Sequence, residues 1–121
     1  MKLINELYDI IGKDGGDGQL TYQVKFRPDC FIYQSHFPGN PITPGVCLIQ
    51  IATEILESEY HHTYDLSLVK SIKFKKIVKP DEELSFVFTD MTDDNDLFKV
   101  NVCVENEEAQ FAKMSLQFKV L

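Results

Sequence analysis

Residues 36–45 hold three prolines and two glycines and lie directly before the longest apolar helical pattern of the chain. Proline fixes φ and has no amide hydrogen, so this segment fits neither a helix nor a central strand. The sequence therefore predicts a rigid loop here. Residues 46–59 follow with apolar side chains on nearly every side, which predicts one long, buried helix. Its polar residues share a single narrow stripe, made of Gln50, Thr53, Glu54 and Glu57.

Most of the remaining chain alternates between apolar and polar residues, with the period of two that a half-buried strand requires. The alternating stretches are 20–26, 68–74, 84–88, 98–104 and 112–120. Turn-forming residues occupy 12–18, 93–96 and 106–108, while residues 3–11 fit a short helix or a strand equally. One buried helix against a long, curled antiparallel sheet is an α+β architecture, which predicts a single domain over 1–121.

Charge and composition narrow the range of partners. The formal net charge is −7, and an acidic protein repels nucleic acid and anionic membranes. No apolar run reaches the roughly 18 residues of a membrane span, and the N-terminus lacks the apolar core of a secretory signal. We therefore expect a cytoplasmic location without membrane insertion. The three widely spaced cysteines predict reduced thiols, and neither a metal nor a cofactor is expected.

The sequence HFPGNPITPGV at residues 36–46 resembles the active-site signature of bacterial 3-hydroxyacyl-acyl carrier protein (ACP) dehydratases of fatty-acid synthesis. That signature runs HFPGxPxMPG, then Val or Cys, then Leu, and nine of its fixed positions recur here. The sequence SIKFKKIVKPD at 71–81 is similar to a second conserved stretch of the same family. The resemblance implies a hot-dog fold, in which a curled sheet wraps a central helix, and an activity on 3-hydroxyacyl thioesters.

Dehydration of such a thioester requires a base for the C2 proton, an acid for the leaving C3 hydroxyl and donors for the thioester oxygen. A histidine titrates near neutrality, and helix N-terminal amides are unpaired donors at the positive end of the dipole. The resemblance implies that His36 is the base and the Gly45 amide the oxyanion donor, where the missing side chain would let a thioester approach. Phe37, Pro44 and Val46 would line the substrate site.

The chain departs from this family at one decisive position. Family members carry Glu or Asp fourteen residues after the histidine, whereas this chain has Gln50. An amide cannot deliver a proton as an acid. The family often has glutamine one turn further on, where this chain has Glu54. Three assignments stay open: Gln50 only orients the hydroxyl while His36 moves both protons, Glu54 is the acid, or Glu54 is a solvated or interface carboxylate.

A basic run stands out on this acidic chain, made of Lys73, Lys75, Lys76 and Lys79. Carrier proteins of the implied pathway are strongly acidic, so these lysines predict either a docking patch for acyl-ACP or simply a solvated strand face. Acyl-CoA is the alternative substrate. The resemblance also implies a homodimer or higher oligomer, or a heterodimer with a related hot-dog chain, in which each site is built from both chains.

Three functions are therefore open. The first is a hydro-lyase that converts a 3-hydroxyacyl thioester to the trans-2-enoyl thioester in fatty-acid or related acyl-chain biosynthesis. The second is a catalytically impaired hot-dog subunit that binds an acyl group or ACP, or pairs with an active chain. The third is an acyl thioesterase. The proline-glycine loop favours the dehydratase lineage, whereas Gln50 favours the impaired subunit.

Overall fold

The computed structural model describes residues 2–16, 18–35 and 39–121. All of its strands join one antiparallel sheet in the order β1-β2-β4-β5-β6-β3. The elements are β1 (Tyr8–Gly16), β2 (Gln19–Phe26), α1 (Ile32–Ser35), α2 (Gly45–Tyr60), β3 (Tyr64–Phe74), β4 (Glu83–Asp94), β5 (Leu97–Glu105) and β6 (Gln110–Val120).

The sheet and α2 share one hydrophobic core. Buried and exposed residues alternate along β5 and β6, so each strand turns one face inward. Ile51 and Ile55 of α2 belong to the same buried cluster as Phe98 and Phe118 of the sheet. Burial of this apolar area is the main force that holds the helix on the sheet. The predicted α+β hot-dog architecture is confirmed, and α2 extends the predicted helix by one residue at each end.

β3 forms one edge of the sheet, where it pairs with β6 rather than with its sequence neighbour β4. Its apolar side chains are unusually open: Leu66 is 41% exposed, Leu68 49% and Phe74 53%. An apolar edge strand of this length is a template for pairing with another chain. The fold therefore leaves β3 as an exposed, apolar edge strand.

The N-terminal region differs from its sequence pattern. The predicted turn over 12–18 is too long, because β1 continues to Gly16 as the edge partner of β2, and an edge strand tolerates glycine. Before β1, Leu3 and Leu7 are buried in the core although they lie in no regular strand. The start of the chain therefore packs as a fixed segment, and this determines the surroundings of α2.

The hairpin between β4 and β5 is tighter than predicted. β4 reaches Asp94, and only Asn95 and Asp96 connect it to β5, with φ of 47° and 66°. Asn and Asp tolerate the left-handed conformation that a two-residue turn of this kind requires. The predicted turn at 93–96 is therefore two residues too long.

The thiols follow the sequence prediction: Cys30 and Cys47 are buried and Cys103 is partly exposed, and all three are free. Within the ranges that the structure covers, no helix has both the length and the apolar composition to cross a bilayer. The same residues contain no cluster of side chains able to hold a metal ion.

Candidate active site

The start of α2 lacks a side-chain cap among the residues that the structure describes. The residue before the helix is Pro44, which is extended at φ −60° and ψ 142°, and no described side chain hydrogen-bonds to this end. Because the first amides of a helix have no intrahelical acceptor, Gly45 begins the helix where backbone donors and the positive dipole end coincide. Val46, the next residue, is 70% exposed. The start of α2 can therefore receive a negatively charged oxygen.

The ring of Phe74 lies against Gly45. A Cβ on Gly45 would overlap this ring, with Cε1 and Cε2 at 2.8 and 2.9 Å, so only glycine permits the contact. The missing side chain was expected to leave room for a thioester, but in this structure the aromatic ring of β3 fills that room. Phe74 thus occupies the side-chain position of Gly45, next to the predicted oxyanion donor, and its side chain is half exposed.

An apolar cavity of about 480 Å³ opens beside this contact. Its lining combines Gly45 and Leu48 of α2 with Phe74 at the end of β3 and with residues 75–78. The volume lies in the range of small-molecule sites. Its walls are Ile42, Thr43, Gly45, Leu48, Phe74, Lys75, Lys76, Ile77 and Val78.

A buried pair of hydroxyls fixes the loop that leads into α2. The hydroxyl oxygens of Thr43 and Tyr33 lie 2.7 Å apart, and the Thr43 amide donates to the Val78 carbonyl at 2.8 Å. Burial raises the pKa of Tyr33 to about 12, so it stays a neutral partner. Tyr33 was not singled out from the sequence. The available signal was Thr43 itself, a hydroxyl in place of the methionine of the family signature.

Gln50 and Glu54 meet on α2. Gln50 is half-buried, and its Nε2 donates to Oε2 of Glu54 at 2.8 Å. Glu54 is only 6% exposed, so the expected solvated or interface carboxylate is wrong. The reason is the N-terminal segment, which covers this part of the helix. The amides of Leu3 and Ile4 donate to the Glu54 carboxylate at 2.7 and 3.0 Å.

Tyr8 completes the surroundings of Glu54. Its hydroxyl donates to Oε1 of Glu54 at 3.0 Å, and Tyr8 is fully buried. Burial, followed by the nearby Glu54 charge and hydrogen bond, raises the pKa of Tyr8, which keeps it a donor. The carboxylate therefore accepts four hydrogen bonds, two on each oxygen, which fills its acceptor capacity. Neither Tyr8 nor the N-terminal amides were foreseen.

The predicted docking lysines divide between two surfaces. Lys76 lines the cavity beside Gly45, and Lys75 lies between that cavity and a groove of about 770 Å³. Lys73 lines only the groove, where its strand partner is Lys113, a fifth basic residue that the sequence pattern did not suggest. Lys79 is exposed and lines neither. Only Lys75 and Lys76 therefore flank the cavity at the start of α2.

Two predicted site residues, His36 and Phe37, lie outside the described residues, as does Pro38 of the same motif. The structure defines the chain on either side, where α1 ends at Ser35 and Gly39 continues with φ 91°. That φ is one that glycine adopts without strain. The assignments of His36 as the base and Phe37 as a substrate contact stay predictions.

One long buried helix on a single antiparallel sheet, with an apolar cavity at the helix start, is the architecture of the hot-dog proteins. The sequence pattern of the ApeI-like family, described as ApeI dehydratase, matches residues 13–115. This match covers more than half of the chain, and the protein therefore belongs to the ApeI-like dehydratase family.

Individual relatives agree with this family. The chain is 42% identical over 99 residues to the 3-hydroxyacyl-acyl-carrier-protein dehydratase FabZ of Levilactobacillus brevis, an alignment that covers 70% of this chain and 66% of the relative. In the FabZ of Lactobacillus helveticus, the aligned part is 55% of the relative at 30% identity. The chain thus spans between about half and two thirds of the length of these relatives.

Solved structures support the fold. The dehydratase heterocomplex ApeI:P from Xenorhabdus doucetiae superimposes with a TM-score of 0.76 at 15% identity, over 93% of this chain and 97% of that chain. A hypothetical thioesterase with coenzyme A from Streptococcus pneumoniae reaches a TM-score of 0.65 at 18% identity, over 94% of this chain and 85% of that chain. At such low identities these likenesses concern the fold alone.

Proposed function

We propose that this protein dehydrates a 3-hydroxyacyl thioester to the trans-2-enoyl thioester and releases water. The observation that carries the proposal is the uncapped start of α2 at Gly45, beside an apolar cavity of about 480 Å³. A thioester oxygen at this helix end meets backbone amide donors at the positive end of the helix dipole, while an acyl chain occupies the apolar space. Membership of a dehydratase family supports the same reaction.

The proposed role of each residue follows from the order in which charge develops on the substrate. His36 removes the C2 proton, and the amide of Gly45 stabilises the enolate oxygen that results. Gln50 holds the C3 hydroxyl, and the protonated His36 returns the proton to that oxygen as the C3–O bond breaks. The half-exposed Phe74 ring lies against Gly45 and therefore borders the position proposed for the thioester.

We further propose that two copies pair through β3. An antiparallel pairing centred on Val69 sets Asp65 of one copy opposite Lys73 of the second copy. The same register sets Leu66 opposite Ile72. Asp65 and Lys73 face the same side of the sheet, because each is registered with an exposed lysine of β6, and opposite charges across strands are favourable. The strand is therefore complementary to itself.

The proposed substrate carrier is an acidic acyl-ACP, with acyl-CoA as the alternative. Lys75 and Lys76 flank the cavity on a chain whose net charge of −7 otherwise repels an acidic partner. Lys75 is anchored by a 2.8 Å hydrogen bond from Nζ to Gln110, while the Lys76 ammonium lies 5.1 Å from the Phe111 ring centre. Both charges are held near the mouth of the cavity.

A second candidate is a hot-dog subunit that binds acyl groups but turns over slowly or not at all, paired with itself or with a related chain. The specific observation in its favour is that position 50 is an amide whose nitrogen is engaged by Glu54, so no carboxylic acid points from there to a substrate. Hot-dog thioesterases share the fold, but no residue described here favours hydrolysis.

Turnover of one 3-hydroxyacyl-pantetheine thioester by the purified protein tests the proposal, followed by the absorbance of the enoyl product. We expect measurable dehydration that His36→Ala abolishes. Replacement of a positioned proton-transfer group costs roughly 10²–10⁴-fold. Release of free thiol instead of enoyl thioester would establish hydrolysis. Absence of turnover in the wild type, together with restored turnover in Gln50→Glu, would establish the impaired subunit.

A further inference from the structure

The buried carboxylate of Glu54 is surrounded by hydrogen-bond donors. Its four donors are the Leu3 and Ile4 amides, the Tyr8 hydroxyl and the Gln50 amide, at 2.7 to 3.0 Å. Three of these four belong to the N-terminal segment or β1, so they are fixed independently of any substrate. A buried carboxylate is stable only with such partners, and this one has no vacant acceptor position for a further donor.

This network determines how Gln50 is oriented. An amide that faces a carboxylate has to turn its NH₂ group toward it, because its own oxygen would be repelled. The Gln50 oxygen therefore points away from Glu54, and it accepts no hydrogen bond from the residues that the structure describes. Position 50 thus presents a carbonyl oxygen, which is a hydrogen-bond acceptor.

We infer that Glu54 is a positioning residue that locks the Gln50 amide as an acceptor, and that this lock makes the site select a hydroxyl at C3 of the acyl chain. The inference rests on the proposed function, because it requires the acyl C3 atom to lie next to Gln50. A 3-hydroxyl can donate to the Gln50 oxygen. A saturated chain offers nothing at C3, and a 3-oxo group places a second acceptor against the first.

The lock also distinguishes this protein from a site with a carboxylic acid at position 50. A protonated acid can donate to the departing oxygen, whereas a locked acceptor binds the hydroxyl in the ground state only. Glu54 therefore favours binding of the hydroxylated substrate, but it does not help the hydroxyl group to leave. Loss of one hydrogen bond of this kind changes affinity by roughly tenfold.

Binding of three inert analogues tests the inference. Each has the same short acyl chain joined to pantetheine by an amide in place of the thioester, with a 3-hydroxyl, a 3-oxo group or an unsubstituted C3. We expect calorimetry to show the hydroxylated analogue binding about tenfold more tightly than the other two. In Glu54→Gln the preference should fall to about one, because the Gln50 amide then faces a neutral amide and can turn either its oxygen or its NH₂ group toward the substrate.

Two further variants complete the design. Glu57→Gln makes the same chemical change on the same helix, at a residue whose one hydrogen bond to the described chain comes from the Tyr64 amide, and it should keep the preference. Gln50→Met leaves the other donors of Glu54 in place and removes the acceptor, so it should lose the preference even if Glu54→Gln fails to fold.

The outcomes separate this inference from the proposed function. If no analogue binds the wild type, the acyl site itself is wrong and the inference falls with it. If all three bind equally, the acyl site stands and the lock is wrong. A uniform loss of affinity for every analogue in Glu54→Gln, with the preference retained, would show that Glu54 only supports the N-terminal segment.

Discussion

Gln50 donates a hydrogen bond to Glu54 across one turn of α2, with 2.8 Å between Nε2 and Oε2. The related dehydratases that the motif resembles place the carboxylate at the first of these positions and often an amide at the second. In this chain the carboxylate stands at position 54, which the N-terminal segment buries, and the half-buried position 50 carries the amide. The chain thus retains one carboxylate and one amide, but their positions on the helix are exchanged.

Tyr8→Phe should destabilise the fold, because it removes one of the four donors to the buried Glu54 carboxylate. Hydrogen bonds to charged groups contribute roughly 1.5–3 kcal/mol, so we expect the free energy of unfolding in urea to fall by that amount. Tyr60→Phe is the matched control, since within the described part of the chain the Tyr60 hydroxyl donates only to the Met91 sulfur, in a solvent-exposed hydrogen bond. An equal loss in both variants would contradict the account of Glu54.

Local sequence patterns were sufficient to predict the helix and most strands. The prolines and glycines of 36–45 mark where α2 begins, and the period of two places β2, β5 and β6. These features depend on neighbouring residues only. The position of β3 at the sheet edge depends on its pairing with β6, whose partner residues lie 38 to 56 positions further along the chain, and no local pattern contains that information.

Local sequence patterns also predict the candidate site only in part. Helical spacing correctly brings Gln50 and Glu54 together, but it also puts Glu54 in a polar stripe that suggests solvent. Its burial arises from Leu3 and Ile4, some fifty residues earlier in the chain. The Phe74 ring over Gly45 is likewise a contact between distant segments. The burial of Glu54 and the position of the Phe74 ring therefore depend on long-range packing, which the motif does not encode.

Charge reversal of Lys75 and Lys76 should weaken the use of a carrier-bound substrate. We expect Lys75→Glu/Lys76→Glu to raise KM for acyl-ACP roughly tenfold at low salt, with little change for the pantetheine thioester, because rim charges act mainly on association. The difference should shrink as ionic strength rises. Lys79→Glu, which lines no part of the cavity, is the control. Equal effects on both substrates would remove the docking proposal.

The proposed β3 pairing predicts a charge swap. Asp65→Lys places two lysines opposite each other in the antiparallel register about Val69. The dissociation constant of the dimer, measured by sedimentation, should therefore rise. Adding Lys73→Asp restores opposite charges in reversed order, and the double variant should dimerise like the wild type. A wild type that stays monomeric at micromolar concentration, or a double variant no better than the single one, would rule out this register.

The double variant Gln50→Glu/Glu54→Gln should be the fastest form of the enzyme. In Gln50→Glu alone, the introduced carboxyl lies against the Glu54 carboxylate, and two like charges at that distance cannot both ionise. The shared proton then bonds to Glu54 most of the time, so only a fraction of the molecules can donate it to the substrate. Exchanging both residues removes the competing anion, so the acid at position 50 can donate to the leaving hydroxyl.

We therefore expect kcat to rise from wild type to Gln50→Glu and again to the double variant. The overall gain should lie within the roughly 10²–10⁴-fold that a positioned general acid contributes. Glu54→Gln alone is the control and should change kcat little, since it supplies no acid. Loss of all activity in that control would show that Glu54 itself delivers the proton. A double variant slower than Gln50→Glu would mean that the Glu54 carboxylate assists the reaction from its buried position.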